Sequence, residues 1–171
     1  LASSTAYHDV LVFYPPYRGM GIAPKTLKAA LDLYDRVGVV EIRLTAGLSS
    51  GGSVWSKAGF VPVDNQERQN IYRKVKANLK LMDKRGELEI FSRLTGGASL
   101  VELVTNIINR DSEYSVWELR DLRPDLPKVC DRDGRSLGFG AALMQGTRWE
   151  GYVDLENSLM RSRLELYATS A

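Results

Sequence analysis

The 171-residue chain carries 23 lysines and arginines against 21 aspartates and glutamates, so its net charge is only +2. This balance gives no indication of a specific nucleic-acid or membrane surface. The apolar (44%) and charged (26%) fractions are close to the average of globular proteins, which excludes wholesale disorder and a fibrous architecture. Cys130 is the only cysteine, which excludes an intrachain disulfide and a multi-cysteine metal site.

Three elements are predicted within the first 46 residues. The run HDVLVFY, residues 8–14, is apolar and ends at two prolines that cannot donate to a sheet, which predicts a strand. A helix is predicted from Pro24 to a capping glycine at Gly38, because apolar residues recur there at helical spacing. The β-branched segment VVEIRLTA, residues 39–46, predicts a second strand. Strand, helix and strand at this separation predict a parallel crossover unit.

The following segment, GLSSGGSVWSKAGFVPV, predicts a further helix and a further strand. Its pattern indicates a loop, one or two helical turns near residues 54–57, a stop at Gly59 and a short strand over residues 60–63. The region 1–64 is therefore predicted to form a β-α-β-α-β unit.

The remainder of the chain, residues 65–171, is predicted to be mainly helical, which makes the fold class α+β. Ser99 is expected to cap one helix, and residues 123–135, with two prolines, a glycine and several charges, are expected to form an exposed connection. A glycine-containing helix, a turn or short strand, and a terminal helix are predicted over residues 136–146, 147–155 and 156–168.

The turn RGMGIA, residues 18–23, separates the first predicted strand from the helix. Amides at a helix start point outward and the helix dipole adds positive charge, so a glycine-rich turn here suits a phosphate group. A tight strand-to-helix turn without a ligand explains the same residues equally well.

Two motifs in order resemble the GNAT N-acyltransferases. RGMGIA is similar to the pyrophosphate-binding signature of that family, and VWSKAGFVPV is similar to its Tyr-x-x-x-Gly-Phe ending. The resemblance covers residues 8–63 and implies a truncated GNAT-like unit that binds acetyl-CoA without a metal. Its expected cofactor-binding residues are Arg18, Gly19, Met20, Gly21, Ile22 and Ala23.

The sequence departs from the pattern of an active family member in two respects, its catalytic residues and the strands that precede them. Trp55 stands where the family places a tyrosine that protonates the departing thiolate, and an indole N–H cannot act as an acid near neutral pH. An asparagine typical of the preceding loop is absent, with Leu48 near its position. Family members place several strands before the one corresponding to HDVLVFY, so another chain or a cleaved N-terminal portion is expected to complete the sheet.

Five residues are the candidates for proton transfer in an active enzyme. His8 and Asp9 are candidate bases for the acceptor amine, although a surface histidine and a strand-end aspartate explain the same positions. Tyr14, Tyr17 and Tyr34 are candidate replacements for the missing acid, against an ordinary packing role. The resemblance further implies that the strand ending near Tyr14 holds the pantetheine arm.

A second resemblance involves both halves of the chain. The residues of GGSVWSKAGF, together with the Trp-x-Gly-x-x-Asp-Leu core of residues 149–155, resemble segments of large virion-associated polypeptides of phages. Trp55 is then a feature of that group. From their chemistry alone, Trp149 and Tyr152 are more simply explained as packing residues of a small core.

Two functions of different class follow. The first is a structural or interaction protein, a processed phage virion component with a catalytically degenerate scaffold, and it is the preferred one. The second is an acetyl-CoA-dependent N-acetyltransferase whose acceptor site is completed by another chain or an oligomeric assembly. The chain starts at Leu1, which is expected for either a processed product or an excised part of a longer polypeptide. It shows neither a signal-peptide pattern nor a membrane-spanning run, so a virion or cytoplasmic location is expected.

Overall fold

The chain has an α+β architecture built around a mixed sheet. In the computed structural model, residues 4–9, 14, 17, 20–47, 50–97, 99–130 and 136–170 are described. The first region, residues 1–64, contains β1 (Ser4–His8), α1 (Ile22–Val37), β2 (Val39–Ala46), α2 (Gly51–Lys57) and β3 (Val61–Pro62). The second contains α3 (Asn65–Lys84), α4 (Glu87–Leu94), α5 (Leu100–Arg110), α6 (Ser115–Arg120), β4 (Val129–Cys130), β5 (Ser136–Leu137), α7 (Phe139–Leu143), β6 (Trp149–Asp154) and α8 (Ser158–Ala168).

Four strands form the main sheet in the order β1-β2-β6-β3. The strands β1 and β2 are parallel, as the crossover prediction requires, whereas β6 runs antiparallel to both of its neighbours, β2 and β3. Along β6 the buried residues Trp149, Gly151 and Val153 alternate with more exposed ones, which is the period of a strand with one face in the core. Because β6 belongs to residues 65–171, the sheet draws on both regions of the sequence.

The first strand lies earlier than the sequence pattern predicts. The strand predicted over residues 8–14 overlaps the observed one, Ser4–His8, only at His8, and the prediction is wrong in its placement. Asp9 and Tyr14 are outside any strand, and residues 10–13 lie outside the described residues. The register explains the difference: His8 pairs with Leu44, so only two residues of β2 remain beyond that pair.

The crossover helix and the second strand match their predictions closely. Helix α1 buries Leu27 and Leu31 on one face and ends at Gly38, whose φ of 75° is the left-handed conformation that glycine adopts without strain. It begins two residues before Pro24 because Gly21 is its N-terminal cap residue. The strand β2 has the predicted bounds, and α2 and β3 follow in the predicted order.

The long helix α3 and the shorter α5 confirm the helical prediction for the second region. Ile71, Val75 and Leu79 are buried along one face of α3. The Asp64 carboxylate accepts a hydrogen bond from the Glu67 amide at 2.8 Å, and the Ser99 hydroxyl accepts one from Glu102 at 3.2 Å. Both caps satisfy amides that have no partner inside the helix.

The connection after α6 is more structured than predicted. Within its described part Leu126 is buried, and β4 pairs with β5 as a short hairpin whose residues 131–135 lie outside the described set. Pairing takes residues 136 and 137 into β5, so the helix predicted over 136–146 is reduced to α7. Gly146, at a φ of 68°, ends this segment as predicted.

The terminal helix α8 packs on both α1 and β6. Met160 and Leu164 are fully buried and Tyr167 partly so, which confirms the predicted apolar face. Arg161 donates from Nη2 to the Asp35 carboxylate on α1 at 2.8 Å, and this bond lowers the pKa of Asp35. This ion pair lies at the contact between α1 and α8.

Candidate functional site

The candidate site lies where β1 ends and α1 crosses it. His8, the last residue of β1, places its Nε2 2.6 Å from the Tyr34 hydroxyl on α1. Both side chains are partly buried, and Tyr34 packs against the hydrophobic core. The structure therefore brings one candidate base and one candidate acid of the sequence analysis into direct contact.

Trp55 forms one wall beside this pair. Its ring lies 6.5 Å from the imidazole of His8 and 5.2 Å from the ring of Phe60, in both cases edge to face. Trp55 sits on α2, whose last turn is followed by Gly59 at a φ of 101° and by β3. The tryptophan is thus held as a packing residue, consistent with an indole that donates a hydrogen bond but exchanges no proton at neutral pH.

Burial sets the protonation states of the pair. Desolvation lowers the pKa of His8, because a buried imidazolium loses hydration, and it raises the pKa of Tyr34, because a buried phenolate does. At pH 7 the imidazole is therefore neutral and the phenol keeps its proton. Either group can donate in their hydrogen bond, depending on which ring nitrogen of His8 carries the proton.

The turn that begins α1 is described from Met20 onward. Gly21 adopts a φ of 70°, and the first turn of the helix holds no acidic residue. The amides of Ile22 and Ala23 have no acceptor inside the helix, so they are available with the positive end of the helix dipole. Arg18 and Gly19, the other part of the predicted pyrophosphate cradle, lie outside the described residues.

The remaining proton-transfer candidates do not join the pair. Asp9 is exposed, and Tyr14 and Tyr17 are 78% and 54% exposed. The Tyr17 amide donates to the Tyr14 carbonyl at 2.9 Å in a turn. Tyr14 therefore does not end a strand, whereas the predicted binding of the pantetheine arm requires a strand that ends there. Leu48, near the position of the missing asparagine, lies outside the described residues.

The aromatic residues of the second half have packing roles. Trp117 donates from Nε1 to the Phe60 carbonyl at 2.9 Å, which ties α6 to the segment before β3. Trp149 is buried in β6, and its Nε1 has no acceptor among the described residues. Tyr152 donates to Glu113 at 3.3 Å. The packing interpretation of Trp149 and Tyr152 agrees with these positions.

Three further features of the described part of the chain concern Cys130, metal-binding groups and long apolar helices. Cys130 is exposed on β4, and it lines a cavity of about 240 Å³ between α3 and the hairpin, together with Lys74, Asn78 and Arg85. No group of three or more histidine, cysteine or acidic residues there could hold a metal ion. None of the described helices is both long enough and apolar enough to cross a bilayer.

The contact between His8 and Tyr34 was not predicted, although each residue was considered separately. They are 26 residues apart, and no spacing rule connects them. Only the register of β1 on β2 and the path of α1 across the sheet bring them together. Comparison with known proteins adds no identification, since no family model, curated protein or solved structure matches the chain.

Proposed function

We propose that this chain is a structural or interaction protein, a processed phage virion component with a catalytically degenerate GNAT-like scaffold, in which another polypeptide segment continues the sheet at β1. The observation that carries the proposal is the position of β1 at the edge of the sheet, where β2 is its only partner among the described strands. Such an edge presents backbone donors and acceptors that readily pair with a further strand.

The burial of β1 favours the same conclusion. The parallel strand β1 has no fully buried residue, and the side chain of Tyr7 is 69% exposed. A second polypeptide that pairs with this edge and packs on the side chains of β1 would supply the cover that they lack.

The phage virion part of the proposal rests on the two segments that carry that resemblance. They are in contact, because a Cβ atom at Gly52 would lie 1.8 Å from the Thr147 hydroxyl and 2.9 Å from Nε1 of Trp149. Only glycine therefore fits at position 52. Trp55, three residues later, packs against Phe60. The two segments thus form one packed unit that includes Gly52, Trp55 and Trp149. A packing role for Trp55 supports the proposal of a scaffold without the tyrosine that serves as the acid in the GNAT family.

Substituting Tyr7→Lys is expected to suppress self-association of the isolated chain. An open edge also pairs with a second copy, and a lysine on an edge strand opposes that pairing by burying charge. We expect the association constant to fall at least about tenfold, equivalent to about 1.4 kcal/mol. Sedimentation equilibrium over a range of protein concentrations measures it.

The matched control is Leu166→Lys, at a similarly exposed apolar residue on α8. This variant is expected to associate like the original chain. If the original chain were monomeric at every concentration, or if both variants behaved alike, β1 would not be an edge at which two copies of the chain associate.

The second candidate function is an acetyl-CoA-dependent N-acyltransferase whose acceptor site is completed by another chain. It is favoured by the direct contact of His8 with Tyr34 beside Trp55, since these two groups can perform the proton transfers for which Trp55 is unsuited. The amides at the start of α1 are the groups that would hold the pyrophosphate.

Titrating the chain with acetyl-CoA by calorimetry tests this candidate. We expect micromolar binding that the Gly21→Glu substitution weakens at least about tenfold, because a carboxylate at the start of α1 repels the pyrophosphate. Gly21→Asn is the control, since asparagine tolerates the left-handed conformation without adding charge. No measurable heat at millimolar acetyl-CoA would remove the enzyme hypothesis.

A further inference from the structure

Three basic side chains from different helices converge beside Tyr167. Lys57 is in the last turn of α2, Arg120 is in the last turn of α6, and Arg163 is on α8. We propose that these three residues form a binding site for an oxyanion, the phosphate or carboxylate group of a ligand. The site uses no residue of β1 or of the turn before α1.

Tyr167 is a neighbour of two of the three cations. Nζ of Lys57 lies 5.9 Å from the centre of the Tyr167 ring, at the distance of a cation–π contact. Burial raises the pKa of Tyr167, and the positive charge of Arg120 opposes that shift, which places the guanidinium near the same side chain. A ligand group beside this tyrosine is therefore within reach of two positive charges.

The third cation, Arg163, is held by contacts of its own. Its Nε donates to the Ser56 carbonyl at 3.3 Å, its Nη2 donates to the Asp121 carboxylate at 2.7 Å, and its guanidinium lies 4.9 Å from the centre of the Trp117 ring. Among the described residues, Asp121 is the only acidic residue that forms an ion pair with any of the three cations. Three positive charges against one negative charge leave an excess of two.

Arg120 has lost hydration without gaining an acceptor. Its Nε atom is buried, and no described residue accepts a hydrogen bond from its guanidinium or forms an ion pair with it. Burial lowers the pKa of Arg120, a shift that the negative charge of Asp121 opposes and the positive charge of Arg163 increases. Because buried charges in proteins are normally paired, the missing partner points to an anion that a ligand supplies.

The position of Arg120 at a helix end does not explain this arrangement. The end of a helix attracts cations, which accounts for a basic residue in the last turn of α6 but not for an enclosed Nε atom without an acceptor. The Nη atoms of Arg120, unlike Nε, retain contact with solvent. A guanidinium binds the oxygens of a carboxylate or phosphate through such donors. Lys57 is exposed and has no ion pair with a described residue, so it adds a second available cation.

Thermal unfolding at increasing concentrations of inorganic phosphate or acetate, with chloride at equal ionic strength as the baseline, tests the site. An anion that binds only the folded chain raises its melting temperature. Phosphate also stabilises folded proteins without binding to them, so the quantity compared is the difference between variants. Arg120→Met is expected to weaken anion binding at least about tenfold and Lys57→Gln about threefold, because an exposed cation contributes less.

Arg36→Met is the matched control, because Arg36 is an exposed basic residue at the end of another helix, α1, and donates to the Asp32 carbonyl. This variant should respond to both anions like the original chain. A loss of response seen with phosphate assigns a phosphate group, one seen with acetate assigns a carboxylate, and one seen with both assigns an oxyanion of either kind. Equal responses of the original chain and the variants at positions 57 and 120 would overturn the site. Lys57→Gln, at an exposed position, decides the test if Arg120→Met does not fold.

Discussion

Replacing Gly140 with alanine is expected to destabilise the protein by about 3 kcal/mol, although alanine is the better helix former. A Cβ atom at this position in α7 would lie 2.2 Å from the carbonyl oxygen of Arg120 and 2.6 Å from that of Leu119. Both atoms belong to the backbone of α6, which cannot rotate out of the way as a side chain can. Helices α6 and α7 must therefore separate, and urea unfolding followed by circular dichroism measures the loss.

Gly138→Ala is the matched control for this substitution. Gly138 lies two residues earlier, adopts a φ of −65°, and has no atom within 4 Å of an added Cβ. We expect its free energy of unfolding to change by no more than about 0.5 kcal/mol. A Gly140→Ala variant as stable as Gly138→Ala would contradict the close packing of α7 on α6.

Trp149→Ala is expected to cost about 3–5 kcal/mol, the largest effect of any single substitution considered. Trp149 is the largest fully buried side chain, and it lies in β6 between β2 and β3. A Cβ atom at Gly151 would lie 2.2 Å from its ring, so the indole fills the space beside that glycine. Truncation leaves a cavity at the centre of the sheet.

Trp149→Phe separates the packing contribution of the ring from that of its nitrogen. The Nε1 atom of Trp149 has no acceptor among the described residues, so removing it relieves a desolvation cost of about 1–3 kcal/mol. We therefore expect Trp149→Phe to be much less destabilising than Trp149→Ala in thermal unfolding. Equal losses for the two variants, or an alanine variant that unfolds like the original chain, would contradict this role for β6.

Local patterns predicted the elements whose signals are contained in short segments. The bounds of β2 follow from its β-branched residues, and α1 ends at Gly38 because a glycine cap is a local requirement. The predicted cap at Ser99 belongs to the same class, and the cap at Asp64, which was not predicted, is equally local. In these cases the residues that determine the structure are neighbours in the sequence.

The parallel crossover was predicted correctly, but the placement of β1 and the position of β6 within the sheet were not. The apolar run 8–14 resembles a strand, but the observed strand β1 ends at His8, whose pair on β2 is followed by only two more residues of that strand. Nothing local in residues 149–154 indicates that β6 inserts between β2 and β3, since that place is decided by pairing with Ile42 and Val61 on two separate strands. Register is a property of the assembled sheet.

The candidate site shows the same division. The chemistry of His8, Tyr34 and Trp55 was recognised residue by residue from intrinsic acidity and donor capacity. Their mutual arrangement depends on the crossover, which places α1 over the end of β1. Spacing along the chain carries no information about such a contact.

Amide hydrogen exchange along β1, resolved by NMR in the isolated chain at a concentration where sedimentation shows it to be monomeric, tests most directly whether this strand is an open edge. In a parallel pair, alternate residues direct their amides toward the partner strand, and the others point away from it. An open edge is expected to give alternating slow and fast exchange over residues 4–8. Slow exchange at all five amides would mean that the edge is already covered, and that result would contradict the proposed role of β1.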